Sequence, residues 1–196
     1  MRKPMILNWT LIILVLVGLS VVIRGRVGFN AQDPQYYSGS GPFFDLKTHL
    51  NGAILCEGVI YGPLGRVESR FVANMFGNWS DTTGTLDEFF TYSTGTTQSR
   101  QWRLTLGQGG KFSAVADDII GTAEGVVSGA SVRMKYRIRL PEEAGGHTLS
   151  VTDWLYLTDN GTIINRSQMR KFGFKVAELV ATMRPAPAQA AAQAAE

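Results

Sequence analysis

The chain has little with which to staple itself or to hold a metal. Cys56 is the single cysteine among 196 residues, so no disulfide forms within the chain and the fold must rest on its core. It follows Ala53-Ile54-Leu55, a setting that reads as a buried small hydrophobe rather than a reactive thiol. The two histidines, His49 and His147, stand in unrelated loop-like settings without ligand spacing, and one cysteine cannot build a thiolate centre. No metal and no cofactor is expected. Phosphate loops, dinucleotide fingerprints and the G-x-S-x-G elbow are missing. GQGGKF (107–112) is glycine-rich only in composition and reads as a hairpin turn. Strands do not alternate with long helical patterns, which argues against a parallel sheet.

A basic balance over the folded part is also missing. The formal charge is +3, but Arg2, Lys3, Arg24 and Arg26 flank an apolar segment at the N-terminus. Without them, 15 basic residues face 16 acids, and a nucleic-acid partner loses its support. The segment itself, Met5 to Ile23, is uncharged and long enough to cross a bilayer core as a helix. A signal peptide would need a small-x-small cleavage site, and the apolar run goes straight into Arg24 instead. Residues 1–26 are therefore expected to be a transmembrane anchor or an uncleaved signal segment, with the amino terminus in the cytoplasm and the domain outside. Residues 27–42 read as a polar spacer, 43–184 as the domain, and 185–196 as a low-complexity Ala/Pro/Gln tail, expected to be disordered.

What is present in abundance is glycine, at 22 residues, and alternation. In SVRMKYRIRL (131–140), Val132, Met134, Tyr136, Ile138 and Leu140 share one parity, and Arg133, Lys135, Arg137 and Arg139 the other. That is a strand with one apolar and one cationic face. Val67, Phe71, Ala73 and Met75 repeat the pattern, as do Trp102, Leu104 and Leu106. Eight such segments, separated by Gly, Asn, Asp and Thr clusters, indicate an antiparallel all-β fold. A closed barrel of about eight strands covers one-sided strands with a single sheet and leaves no free edge. One domain helix is expected, over Phe172 to Met183, packing Val176, Leu179, Val180 and Met183 against the sheet.

Three stretches carry a resemblance: FDLKTHLNGAILCEGVIYGPLGRVESRF (44–71), ADDIIGTAEGVVSGASVRMKYRIRL (116–140) and, most distinctively, TDWLYLTDNGTIINRSQMRKFGFKVAEL (152–179). From Phe43 to Met183 the chain resembles a bacterial family of lipoprotein-like envelope proteins, number 3833 in the series of domains of unknown function. The resemblance implies a calycin-like (lipocalin-like) β-barrel in the cell envelope and implies no activity. The chain departs from the family at one point. A lipoprotein needs a cysteine closing its leader, and here none stands there, so the helix would replace the lipid anchor.

If the apolar faces turn inward, Phe71, Trp102, Leu104, Met134 and Tyr136 line the barrel as candidate ligand contacts, with Asp153 and Arg166 as polar ones. Asp117, Asp118, Glu57 and Asp153 are the acids that could meet as general acid–base groups. The plainer reading has Asp117-Asp118 starting a turn and Asp153 pairing with Arg166 or Lys171. Arg166 and Lys171 have opposite parity, so a flat strand does not point both inward. The four cations of 131–140 would keep the outer face soluble or meet anionic head groups. Taken together, the expected protein is not an enzyme. It is a single-pass protein of the bacterial inner membrane whose periplasmic barrel binds a lipid or other hydrophobic small molecule. The alternative is an interaction module docking an envelope protein through its outer barrel face.

Overall fold

The computed structural model describes residues 5–142 and 145–186; the expected tail lies almost wholly outside them. Ten strands form one closed antiparallel barrel: β1 (Gly52–Tyr61), β2 (Val67–Ser80), β3 (Thr83–Tyr92), β4 (Thr97–Leu106), β5 (Lys111–Val115), β6 (Ala123–Ser128), β7 (Ser131–Arg139), β8 (Thr148–Leu157), β9 (Ile163–Lys171) and β10 (Phe174–Pro185). Each strand pairs with the next in sequence, and β10 returns to pair with β1. The barrel is thus an up-and-down meander, and closure removes the exposed edges. Alternation sets the faces as the parity of 131–140 requires: Val132, Met134, Tyr136 and Ile138 line the interior, while Lys135, Arg137 and Arg139 are exposed.

Two strands go beyond the eight expected. β6 is only six residues long, with Ala, Glu, Gly and Ser around a Val-Val pair, and so carries little strand signal of its own. β10 replaces the helix expected over Phe172–Met183. Phe172 (φ 52°) and Gly173 (φ 83°) make a left-handed two-residue turn, the geometry that reverses a chain into a hairpin. The strand then pairs with β9 on one side and β1 on the other. Helix propensity differs by only tenths of a kcal/mol per residue; two ladders of backbone hydrogen bonds outweigh it.

One end of the barrel is plugged. Asp45 caps the four-residue helix α2 (Leu46–His49) by accepting from the Thr48 amide at 2.7 Å. α2 drops Leu46 and Leu50 into the core. The Trp79 indole donates to the Leu50 carbonyl at 2.8 Å. A Cβ on Gly77 would collide with that same carbonyl, so only glycine lets the plug seat this closely. The other end, where the β1–β2, β3–β4 and β9–β10 turns lie, has no such helix among the described residues.

Before the barrel the chain forms α1 (Met5–Arg26) and two single 3-10 turns at Phe29–Ala31 and Pro34–Tyr37. Residues 28–40 run as a strap along the outer wall of β6 to β9. Tyr37 meets Trp154 edge-on at 5.3 Å, Gln32 accepts from the Tyr37 and Tyr156 hydroxyls at 2.6 and 2.7 Å, and Ser128 donates to the Pro34 carbonyl at 2.6 Å. Within α1, side chains are described for 9–19, all exposed. Among the described residues no helix is long and apolar enough to cross a membrane, against the expectation of a transmembrane helix over residues 1–26.

Candidate functional site

The interior holds a cavity of about 160 Å³, close to the roughly 150 Å³ at which an engineered apolar cavity accommodates benzene. Its walls are layered. Against the α2 plug lie Leu46, Leu50, Leu86, Leu104, Phe112 and Val132, an apolar floor. Toward the unplugged end, Phe71 packs on Phe90 and Tyr92 with centroids 5.4 and 6.2 Å apart. Between these layers stand the polar groups Glu88, Arg100, Tyr136, Asp153, Asn165 and Ser167.

Glu88 and Arg100 are direct cross-strand neighbours on β3 and β4, yet the guanidinium turns away. Its Nε and Nη2 donate to the two carboxylate oxygens of Asp118 at 3.1 and 2.7 Å, a two-point ion pair, and its plane lies over the Trp102 ring at 4.7 Å. Glu88 Oε2 is therefore buried with no hydrogen-bond partner, and so is Asp153 Oδ1. Burial pushes the Glu88 carboxyl up to about 7; Arg100 opposes the rise, and the carboxylates of Asp153 and Asp118 add to it. Burial likewise raises Asp153 against the hydroxyls of Ser167 and Tyr136 and the charge of Arg100. The Tyr136 phenol is held well above its ordinary value, by burial first and Asp153 second. A carboxyl poised near neutrality can accept a hydrogen bond from a bound donor, hold a proton, or pass one on.

Six of the seven expected contacts come together here: Phe71, Trp102, Leu104, Met134, Tyr136 and Asp153 all line the cavity. Arg166 does not. Its Nε donates to Glu178 at 2.6 Å on the outer wall, and its guanidinium lies over Phe29 of the strap at 5.1 Å. Asp153 faces inward, so the two do not pair. The other acids separate as well. Glu57 accepts from Arg184 at 2.9 Å outside, and Asp117 pairs with Arg103 at 2.9 Å in solvent. Lys171 contacts His147 at 3.1 Å. Cys56 is buried, and burial, with Glu88 and Glu57 adding to it, pushes its thiol up to about 12. Among the described residues no cluster of acids, histidines and cysteine could hold a metal. Glu88 and Arg100 are not among the contacts expected from the sequence, although each stands on the inward parity of its strand, with Leu86 and Phe90 or with Trp102 and Leu104.

A closed antiparallel meander around an apolar chamber places the chain in the class of up-and-down β-barrels. Within that class the chain belongs to the family described as protein of unknown function (DUF3833), whose profile matches residues 24–185. No curated protein matches it. Among solved structures it is similar to the S-type phycobiliprotein lyase CPES from Guillardia theta, with TM-score 0.52 and 4% identity over 71% of this chain and 90% of that one. It is also similar to Rv2717c from M. tuberculosis, with TM-score 0.51 and 15% identity over 76% of this chain and 99% of that one. At these identities the likeness shows the barrel fold alone. It nevertheless corrects the expectation that the chain is not an enzyme: a lyase is built on this barrel, so neither fold nor composition excludes catalysis.

Proposed function

We propose that this protein is a membrane-tethered envelope barrel that encloses an apolar or amphipathic small molecule. The observation that carries the reading is the cavity: an apolar floor beneath two buried carboxyl oxygens, on Glu88 and Asp153, that lack partners. Leaving such a group unsatisfied costs on the order of 1–3 kcal/mol, a cost recovered when a ligand supplies an N–H or O–H donor. The matching ligand has an apolar body slim enough for the floor and a donor group at mid-barrel. The relation to barrels such as the phycobiliprotein lyase supports a chamber of this kind.

The tether reading rests on α1. Its described side chains, residues 9–19, are apolar apart from Thr10 and all exposed, Trp9, Leu14 and Leu16 among them. With that tether we place the protein at a bacterial inner membrane, its barrel in the periplasm.

The test is native mass spectrometry and organic extraction of the full chain purified in a mild detergent, alongside titration with an environment-sensitive hydrophobic dye. A co-purifying amphipathic compound, or dye binding lost in Leu104→Trp, which fills the floor, is the expected result. An empty barrel that ignores the dye overturns the reading. A second reading, docking of an envelope protein, is favoured by one feature: Val72, Phe76 and Phe89 are exposed on the outer faces of β2 and β3, beside a groove of about 800 Å³. Cross-linking from Phe76 in membranes that captures no protein removes it.

A further inference from the structure

The unplugged end of the barrel carries a feature that neither the cavity nor the family explains. Two neighbouring hairpins, β1–β2 and β9–β10, are joined through the β1–β10 ladder. Their tips present Leu64, 85% exposed, and Phe172 and Phe174, 89% and 68% exposed. Large apolar side chains this open at adjacent turns are uncommon on a solvated surface. Phe172 is the more telling because its φ of 52° is one that bulky residues rarely adopt. Asn or Gly at that turn position would relax the backbone and remove the exposed ring. A strained aromatic in water is poor for stability on both counts, and it becomes intelligible if the ring has somewhere to go.

The root of α1 is at the same place. Val27, Gly28, Phe29 and Asn30 form a groove with Gly173, Phe174 and Lys175 of the β9–β10 hairpin. Phe29 is buried, and Asn30, with its amide oxygen turned to the guanidinium, accepts from Arg170 Nε at 3.0 Å. From there the strap runs to the opposite end, where the Phe44 amide donates to the Gly129 carbonyl in the β6–β7 turn at 2.8 Å. The chain thus leaves the apolar helix beside the exposed tips and is fastened along the whole height of the wall. Arg66 stands exposed next to Leu64, and the Lys171 ammonium lies 5.7 Å over the Phe172 ring. Cations bordering apolar tips match the headgroup and upper acyl layers of an anionic bilayer.

We infer that the barrel docks on a lipid surface through this end, with Leu64, Phe172 and Phe174 in the interface and the unplugged mouth turned toward the membrane. The inference rests on the tether reading and adds an orientation to it. The α2 plug then faces away from the lipid, and an amphipathic molecule leaving the bilayer meets the Phe71–Phe90–Tyr92 aromatics before the Glu88 and Asp153 carboxyls.

The buried, unreactive Cys56 makes a clean test possible, since a cysteine introduced on the surface is the only thiol that labels readily. Full-length Leu64→Cys, Phe172→Cys and, at the plugged end, Asp159→Cys are each labelled with an environment-sensitive fluorophore. They are then incorporated into vesicles of phosphatidylcholine with phosphatidylglycerol. The labels at 64 and 172 should shift to the blue and become severalfold less accessible to a water-soluble quencher, while the label at 159 stays aqueous. Flotation with the vesicles while all three labels stay in water overturns the docking and leaves the tether standing; failure to float removes both. Shielding that follows the protein-to-lipid ratio instead of the presence of lipid assigns the tips to a second copy of the chain and also overturns the inference. Because removing Leu64 or Phe172 takes away part of the contact, a label on Ser69, near the tip and with both apolar residues intact, must shift in the same direction.

Discussion

The barrel buries two glutamates to nearly the same extent, Glu88 at 9% and Glu178 at 8% exposure, and treats them in opposite ways. Glu178 lies on the outer wall, where Arg166 donates to one oxygen at 2.6 Å and Lys175 to the other at 2.7 Å. Burial pushes its carboxyl up, but these two cations more than offset the rise, and the net shift is downward. Glu88 lies inside, opposite an arginine that pairs elsewhere, with one oxygen left bare and its carboxyl pushed up to about 7. The partners of Glu178 are complete and those of Glu88 are not. An acid with all its partners serves the fold; an acid kept from an available partner is a sign of a site.

The contrast can be broken or sharpened by mutation. The largest effect is expected in the wall. Trp154 is fully buried beneath Tyr37 and Arg133, and Trp154→Ala should cost about 3–5 kcal/mol in denaturant unfolding. It should also free the strap to proteases. A loss below about 1 kcal/mol would mean that the strap merely rests on the barrel.

Next comes the interior acid. Because the folded state holds the Glu88 proton more tightly than the unfolded chain, stability is greatest below about pH 4.5 as far as this group is concerned. It then falls as pH rises toward about 7 and levels off. Glu88→Gln should abolish that slope and make the protein more stable above pH 7 by about 3 kcal/mol. An unchanged profile would place the charge in water.

Glu178 has the reverse sign. Its contribution is present at neutral pH and is lost as pH falls through its lowered folded value. Glu178→Gln should therefore destabilise at pH 7, by about 1–3 kcal/mol, and make little difference in strong acid. Smallest of all, Arg103→Ala removes an ion pair whose acid, Asp117, stands almost wholly in water. It should change stability by less than about 1 kcal/mol, and a larger loss would mean that the pair braces the β5–β6 connection.

Much of this could be read before the structure. The inward set of β7 follows from parity, and so do Phe71, Trp102 and Leu104. Glu88 and Arg100 are equally open to that reading, since a charged residue in an inward register is the local signal for an interior polar group. Other features depend on contacts that local sequence does not encode. Gln32 meets Tyr156 across 124 positions, so residues that look like a spacer give no hint of being a strap. Arg166 alternates with Asn165 and Ser167, which line the cavity, and on the outside meets Glu178 and Phe29, neither of which is its neighbour in sequence. β10 is a strand because β1 and β9 are there to flank it.

That last pairing has a consequence for biogenesis. The seam of the barrel joins the first strand made to the last, with Ile54 opposite Pro185 and Tyr61 opposite Glu178. Until residue 185 has emerged, β1 and β9 each present an unpaired margin, and the partial sheet is sticky. Closure must wait until β10 has been made, and a product cut short before Phe174 would be an open sheet seeking a partner strand.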